Sequence, residues 1–178
     1  MKILLLNGSP RQNGNTRGAL LMMQKMLGEG AELLDLCSMN LSGCLACNGC
    51  RRNGGHCVRP DDSDKLMQEI ADADVVIFGT PVYWWGVSSQ LKMAVDKFYS
   101  READFEKMHK KIGILAVGGS GLDNPQYDLI RKQFSCIAEY LHWELAFSLS
   151  FSASEPGELM QQKDLEEQLK KACSRILI

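Results

Sequence analysis

Short apolar segments alternate with amphipathic segments along the whole of this chain. Five of the apolar segments have the length of β-strands and predict strands at 2–7, 31–36, 73–79, 111–118 and 143–151. In the amphipathic segments, apolar side chains recur every three or four residues, which predicts helices that pack on a sheet. Three such stripes are Ala19, Leu20, Met23, Met26 and Leu27, then Tyr127, Ile130, Phe134, Ile137 and Leu141, and finally Leu165, Leu169, Ala172 and Ile176.

This alternation of strands and helices predicts an α/β fold. Because strand–helix–strand crossovers are right-handed and return the chain to the same edge, we expect a parallel sheet covered on both faces. The specific prediction is a flavodoxin-like, doubly wound sandwich with a five-stranded parallel sheet in the order 2-1-3-4-5. In such a sheet, ligands bind beyond the carboxyl ends of the strands, where the winding direction changes between the first and third strands. The residues that follow those strands are therefore the first candidates for a site.

Composition narrows the class of protein. The chain has 178 residues and no compositional break, so we expect a single domain over residues 1–178. A net charge of -2 offers no field for a polyanion, so nucleic acid is not an expected partner. No apolar run approaches the roughly 20 residues of a membrane span or forms a signal-peptide core, which predicts a cytoplasmic protein that has no membrane association.

The cysteine content indicates metal or redox use. Seven cysteines in a cytoplasmic protein are better explained by metal binding than by disulfides, which a reducing compartment does not maintain. Three of them lie apart from the rest and are expected to be small buried hydrophobic residues. These are Cys37, Cys136 and Cys173.

The segment after the first strand, GSPRQNGNT at 8–16, has the features of an anion-binding turn. Glycines let the backbone approach a ligand, and the first turn of the next helix offers free amides and a favourable dipole. The side chains expected to contribute are Ser9, Arg11, Asn15 and Thr16. The spacing lacks the lysine and the hydroxyl of an ATP-binding loop, so a terminal monophosphate, as in FMN, fits better than a triphosphate. The alternative is a polar turn capped by Asn15 or Thr16.

Two further segments follow the third and fourth predicted strands. GTPVYWWG at 79–86 is strongly aromatic, and such side chains can flank a flavin ring whose edge bonds to backbone amides. The glycine-rich GGSG at 118–121 lets the backbone approach that ring, and it lacks the pattern of a dinucleotide-binding turn. The candidate cofactor-binding residues are Pro81, Val82, Tyr83, Trp84, Gly118, Gly119 and Ser120. Without the candidate phosphate-binding turn at 8–16, the aromatic residues would be interpreted as core or interface residues.

A cysteine-rich loop at about 37–61 carries the strongest chemical signal. Its spacing is C-x2-C-x2-C-x6-C, formed by Cys44, Cys47, Cys50 and Cys57. Three thiolates at three-residue steps can reach three corners of one iron–sulfur cube, and a fourth can close it. The alternative is structural zinc, because four cysteines also satisfy a tetrahedral ion and His56 offers another ligand. We therefore predict a metal centre, with iron–sulfur favoured over zinc.

Taken together, these motifs resemble the flavodoxin-like, NADPH-dependent FMN reductases and, within them, the iron-sulfur flavoproteins. GSPRQNGNT is similar to the family's FMN phosphate loop, TPVYWW to its isoalloxazine loop and GGSG to its third flavin-contact segment. The compact cysteine motif before the third strand is similar to that of the iron-sulfur flavoproteins. This resemblance implies a [4Fe-4S] cluster, one FMN per protomer, and a homodimer or a dimer of dimers. The last 28 residues carry no matching motif.

The expected function is an electron-transfer oxidoreductase that contains FMN and a [4Fe-4S] cluster. FMN exchanges electrons singly or in pairs and the cluster only singly, so together they connect different donors and acceptors. The electron donor would be ferredoxin or NAD(P)H, and the electron acceptor could be a small molecule. Electron transfer requires no catalytic acid or base, so no residue is nominated for that role. One alternative is an NAD(P)H-dependent FMN or quinone reductase without a working cluster. Another is a cysteine-based redox or metal sensor on a flavodoxin-like module.

Overall fold

A parallel sheet of five strands forms the centre of the computed structural model, which describes residues 1–177. The strand order is β2-β1-β3-β4-β5, so the predicted flavodoxin-like topology is confirmed. The strands are β1 (Ile3–Asn7), β2 (Ala31–Asp35), β3 (Val75–Pro81), β4 (Lys111–Gly118) and β5 (Glu144–Ser152). Each predicted strand is present, and its ends agree with the prediction to within two residues.

Seven helices lie among the described residues and connect or follow these strands. They are α1 (Asn15–Leu27), α2 (Gly49–Arg52), α3 (Ser63–Asp72), α4 (Ser89–Asp96), α5 (Phe98–Phe105), α6 (Gln126–Tyr140) and α7 (Leu165–Leu177). The three apolar stripes found in the sequence form α1, α6 and α7. None of the helices within residues 1–177 has both the length and the hydrophobicity that crossing a membrane requires.

Two hydrophobic cores cover the two faces of the sheet. One face packs against α3 to α6, where the ring centroids of Phe78 and Phe134 lie 4.9 Å apart. The opposite face packs against α1 and α7 through residues such as Leu20 and Leu169. The interior strand β1 is buried along its whole length because it has a neighbour on each side and helices on each face.

The winding direction reverses between β1 and β3, and the two strands stay close where they end. The Gly8 amide donates to the Gly79 carbonyl over 2.8 Å. A Cβ atom at Gly8 would lie 2.9 Å from both the Leu91 Cβ and the Ser88 Oγ, so only glycine allows this approach. The segments after β1, β3 and β4 therefore meet at one edge of the sheet.

The long segment between β2 and α3 contains a short 3₁₀ turn at Leu36–Ser38 and the single-turn helix α2. Its two ends are held together by hydrogen bonds, since the Asn40 amide donates to the Asp62 Oδ2 over 2.7 Å and the Asp62 amide donates back to the Asn40 carbonyl over 2.9 Å. The predicted cysteine-rich loop is thus closed at its base, which presents the cysteines as one unit.

Candidate functional site

A cavity of about 230 Å³ lies at the carboxyl ends of β1, β3 and β4. It is lined by residues from four segments of the chain: Ser9, Arg11, Gly14, Asn15, Thr16, Pro81, Val82, Tyr83, Val117, Gly118, Gly119, Ala153 and Ser154. The three segments singled out in the sequence are therefore brought together. Of the eleven residues predicted to bind the cofactor, nine line this cavity, and Trp84 and Ser120 do not.

The phosphate-loop candidate ends in a helix terminus that no side chain caps. The N-cap residue of α1 is Gly14, which has extended backbone and makes no side-chain capping bond. The capping role considered for Asn15 or Thr16 is therefore wrong, and the first-turn amides of α1 are left without a capping partner. Ser9 is buried, and its hydroxyl accepts a bond from the Arg11 amide over 3.2 Å. The turn is thus built to present amides and the Arg11 charge to an anion.

Asn15 lines the cavity, but its side chain is also engaged elsewhere. Its Nδ2 donates to the Glu155 carbonyl over 2.9 Å, and its Oδ1 accepts from the Leu159 amide over 3.3 Å. Asn15 therefore fastens the start of α1 to a segment that follows β5.

That fourth segment was missed in the sequence because it carries no motif. Ala153 and Ser154 line the cavity directly after β5. The amides of Ser154 and Glu155 both donate to the Glu158 Oε2, over 2.6 and 2.8 Å, and these bonds lower the pKa of Glu158. The one available signal was position, since residues that follow a neighbouring parallel strand reach the same edge of the sheet.

The aromatic segment after β3 forms a tight hairpin. The Tyr83 and Gly86 backbones exchange hydrogen bonds of 3.0 and 3.1 Å across the turn. The two residues between them, Trp84 and Trp85, have φ values of 49° and 60°, which bulky side chains rarely adopt. Trp84 is 92% exposed, so it stands outside the cavity, whereas Pro81, Val82 and Tyr83 line it.

The glycine-rich segment after β4 contributes its backbone. A Cβ atom at Gly118 would lie 2.6 Å from the Gln126 Nε2 and 2.9 Å from the Tyr127 hydroxyl, so a side chain there would displace one or both of these groups. Ser120 turns away from the cavity, and its carbonyl accepts a 2.7 Å bond from the Tyr127 hydroxyl. Ser120 is thus not among the residues that line the cavity, and its predicted contact with the cofactor stays a prediction.

The four cysteines of the motif line one second cavity, which has no lining residue in common with the first. It measures about 30 Å³ and lies between the cysteine loop and the junction of α4 and α5. Cys44 and Cys47 are exposed, and Cys50 and Cys57 are half-buried. The thiols therefore share one space that is open to the surface on one side.

The local backbone explains why these cysteines converge. Ala46 and Asn48, which flank Cys47, have positive φ values of 52° and 54°, so the chain reverses around that residue. The Ala46 amide donates to the Cys44 Sγ over 3.4 Å. A Cβ at Gly49 would lie 2.6 Å from a Val58 methyl, so glycine is required for the two ends of the motif to approach.

A buried ion pair lies behind Cys57. The Lys97 Nζ is 3.5 Å from the Cys57 Sγ and 3.4 Å from the Asp61 Oδ2. Burial of the Asp61 carboxyl opposes its ionisation, but hydrogen bonds from Ser42 and Ser63 and the Lys97 charge hold its pKa well below the usual range. The site therefore keeps a carboxylate and an ammonium next to a thiol.

The alternative metal centre is a single ion, such as zinc, held by several side chains at once. Residues 1–177 contain no group of three or more histidine, cysteine or acidic side chains placed to hold one metal ion. His56, the extra ligand considered for zinc, lies 3.4 Å from the Asp64 Oδ2 and is exposed.

The remaining cysteines follow their predicted role only in part. Cys173 is buried, which raises the pKa of its thiol to about 11. Cys37 and Cys136 are exposed, so the expectation that they are buried is wrong for both. Cys37 lies in the 3₁₀ turn that follows the edge strand β2, and Cys136 lines a groove between α6 and the α4–α5 pair.

The fold and the cavity define a flavodoxin-like protein, and comparisons with known proteins identify its family. The pattern of the NADPH-dependent FMN reductase family matches residues 1–142, so the chain belongs to this family. The resemblance drawn from the motifs is thereby confirmed, and the predicted class of flavin-dependent oxidoreductase agrees with it.

Several relatives are similar over large parts of the chain. The iron-sulfur flavoprotein MJ1083 of Methanocaldococcus jannaschii is 36% identical over 126 residues, which are 67% of this chain and 63% of that protein. The putative NAD(P)H-dependent FMN-containing oxidoreductase YwqN of Bacillus subtilis is 28% identical over 99% of this chain and 97% of its own. The chain thus spans less than two thirds of the length of MJ1083 but nearly all of YwqN.

Solved structures support the fold. The Trp repressor binding protein from Bacillus subtilis superimposes with a TM-score of 0.72 at 24% identity, over 99% of this chain and 98% of that chain. An FMN-dependent NADH-azoreductase from Bacillus anthracis superimposes with a TM-score of 0.68 at 14% identity, over the full length of both chains.

Proposed function

We propose that this chain is a flavin-dependent electron-transfer oxidoreductase that holds FMN in the first cavity and a [4Fe-4S] cluster on Cys44, Cys47, Cys50 and Cys57. The observation that carries the proposal is that all four cysteines line one cavity beside a buried lysine. FMN supplies two-electron and one-electron chemistry, and the cluster supplies one-electron chemistry. The chain's own residues bind the two groups and shield or stabilise their charge.

The residues of the first cavity fit FMN. The uncapped start of α1 and the Arg11 side chain suit a phosphate, and Ser9 supplies a hydroxyl next to them. Tyr83 and the backbone at Gly118 and Gly119 suit the flavin ring. A volume of about 230 Å³ is below the roughly 300 Å³ at which most small-molecule sites begin. We therefore propose that bound FMN extends from the cavity toward the exposed hairpin at Tyr83.

The cysteine cavity supplies the ligand set that a cluster requires. Four thiolates hold a [4Fe-4S] cluster, and the four cysteines of the motif line this one cavity. The N–H···S bond from Ala46 to Cys44 is of the kind that stabilises cluster thiolates.

The donor and the assembly state belong to the same proposal. A nicotinamide donor is supported by the family and by the name of the YwqN relative, and ferredoxin remains the proposed one-electron partner. We further propose a single domain over residues 1–178, in a homodimer or a dimer of dimers. All seven cysteines are free, as a reducing compartment such as the cytoplasm would keep them.

A second candidate function is an NAD(P)H-dependent FMN reductase whose cysteines hold zinc or no metal. One observation favours it: YwqN, whose name is that of an NAD(P)H-dependent FMN-containing oxidoreductase, matches this chain over nearly its full length. Rapid NADPH oxidation by cluster-free, FMN-loaded protein would support this candidate.

The deciding experiment is an anaerobic preparation in which iron, acid-labile sulfide, zinc and FMN are all quantified. Replacing Cys47→Ser should remove the iron and the broad visible absorption beyond the flavin bands, while FMN stays bound because the two cavities share no residue. Cys136→Ser is the matched control, since that exposed cysteine on α6 lines neither of the two cavities, and it should retain both groups.

The result has three informative outcomes. Iron and sulfide in equal amounts that disappear in Cys47→Ser support the cluster. Stoichiometric zinc without sulfide refutes the cluster and supports the second candidate. Wild-type iron content in Cys47→Ser contradicts the ligand assignment.

A further inference from the structure

Burial of the charged Lys97 side chain costs free energy. It sits at the junction between α4 and α5, and its side chain is only 2% exposed. Buried ammonium groups are rare unless an opposite charge and good hydrogen bonds compensate for the lost hydration. The described contacts of its Nζ are the Asp61 carboxylate at 3.4 Å and the Cys57 thiol at 3.5 Å.

These contacts compensate for the buried charge only in part. A lysine ammonium has three N–H donors, and charge-assisted bonds to oxygen usually measure about 2.7 to 2.9 Å. The bond to Asp61 is longer, and the same carboxylate oxygen also accepts from the Ser42 hydroxyl. Lys97 therefore has donor capacity left, and it lines the cavity of the four cysteines, where a negatively charged group would use it.

Two arginines near the motif are paired with carboxylates. The Arg51 guanidinium pairs with Glu102 and lies 4.3 Å from the centre of the Tyr99 ring. Arg59 pairs with Asp61 over 3.9 Å. Within residues 1–177, Lys97 is the one charged side chain with a hydrogen bond to a cysteine sulfur of the motif.

We propose that Lys97 sets the reduction potential of the centre held by the four cysteines, with Asp61 as the residue that positions and moderates its charge. The inference rests on the proposed cluster. Four thiolates give such a centre a net negative charge, which grows by one electron on reduction. An ammonium donating to the Cys57 sulfur stabilises the reduced state more than the oxidised state and so raises the potential, whereas the Asp61 carboxylate opposes this effect.

The test is a redox titration of anaerobically purified protein, followed by electron paramagnetic resonance of the reduced cluster. Replacing Lys97→Met should lower the ratio of reduced to oxidised cluster at a fixed potential about tenfold, equivalent to a shift of about 59 mV for one electron. Asp61→Asn should shift the ratio in the opposite direction. Lys107→Met removes an exposed lysine beyond α5 and should leave the potential unchanged.

Opposite shifts from the two members of one ion pair distinguish an electrostatic role from a structural one, because a loosened fold would move both variants in the same direction. If Lys97→Met fails to assemble because Asp61 is left buried and unpaired, the double variant Lys97→Met/Asp61→Asn removes both charges and should still have a lowered potential.

The experiment distinguishes an error about the role of Lys97 from an error about the proposed cluster. A cluster that assembles in Lys97→Met or in the double variant with the wild-type potential overturns the role of Lys97 and leaves the cluster itself in place. The same holds if Asp61→Asn lowers the potential or leaves it unchanged. Wild-type protein that contains FMN but no iron or sulfide overturns the proposed cluster.

Discussion

At the scale of single residues, the two cavities use different kinds of contact. The cavity proposed to hold FMN presents backbone groups, because α1 begins without a side-chain cap and Gly118 and Gly119 carry no side chains. The cysteine cavity relies on side chains, namely four thiols and the Lys97 ammonium. Substitutions of the side chains in one cavity should therefore leave binding at the other cavity unchanged. Few side chains at the first cavity carry charge.

Arg11 is the charged residue that lines the first cavity, and its replacement tests whether the turn at 8–16 binds phosphate. Replacing Arg11→Ala should weaken FMN binding about tenfold, because a hydrogen bond to a charged group contributes roughly 1.5 to 3 kcal/mol. Riboflavin lacks the phosphate, so its affinity should change little. Fluorescence titration of flavin-free protein with both ligands measures the difference.

The matched control is Arg131→Ala, an exposed arginine on α6 that pairs with Asp128. It should leave both affinities unchanged. Equal losses for FMN and riboflavin in Arg11→Ala would mean that the turn at 8–16 does not bind phosphate.

At the scale of elements, the hairpin at Tyr83–Gly86 combines exposure with backbone strain. Hairpin turns in which both central residues have positive φ favour asparagine and glycine, whereas here both are tryptophans. Such strain typically costs about 1 to 3 kcal/mol per residue and persists at functional sites. The hairpin presents two indole rings with centroids 6.2 Å apart beside the proposed flavin ring.

Relief of this strain is measurable as stability. Trp85→Gly should raise the free energy of unfolding by about 1 kcal/mol, because the strain removed exceeds the roughly 0.5 to 1 kcal/mol that glycine costs in the unfolded chain. Urea denaturation measures the change. Tyr140→Gly, an exposed aromatic residue near the end of α6 with ordinary backbone, is the control and should lower stability by about 1 kcal/mol. Destabilisation in both variants would show that the turn is not strained.

At the scale of the whole molecule, the sheet topology brings distant segments to one edge. Asp35 at the end of β2 links three elements, since it accepts a bond from the Arg17 Nε over 3.0 Å and another from the Asn7 Nδ2 over 2.7 Å. Burial raises the pKa of Asp35, but the bonds from Arg17 and Asn7 outweigh burial, so the net pKa lies below the usual value.

This network predicts how stability depends on pH. A carboxyl whose pKa is lower in the folded than in the unfolded state stabilises the fold above its unfolded pKa, near 3.9, and this contribution is lost as pH falls toward the folded pKa. Between pH 7 and pH 3.5, wild-type protein should therefore lose more unfolding free energy than Asp35→Asn by at most about 0.7 kcal/mol, because pH 3.5 lies only slightly below the unfolded pKa. Urea denaturation at both pH values tests this, with exposed Asp123→Asn as the control that should follow wild type. Identical losses of unfolding free energy in wild type and Asp35→Asn would show that Asp35 does not contribute to the loss of stability in acid.

Much of this molecule could be predicted from local sequence. Strand and helix periods are local properties, which is why five strands and three helices could be located and a parallel sheet expected from the handedness of the crossovers. The short helices α4 and α5 were missed because each spans only eight residues and their apolar positions merge into one run. The positions of Trp84 and Ser120 outside the cavity depend on where each turn ends, which no spacing rule states.

The sequence by itself determined the fold class and the family and nominated the residues proposed to bear the chemistry, because motif spacing and hydrophobic period are properties of the linear chain. Tertiary structure alone decided which distant groups meet those residues. Asn15 bonds to Glu155 across 140 positions, and Lys97 reaches Cys57 across 40. Such contacts arise from the packing of whole elements, and a buried ammonium next to a thiol can be recognised only once burial itself is known.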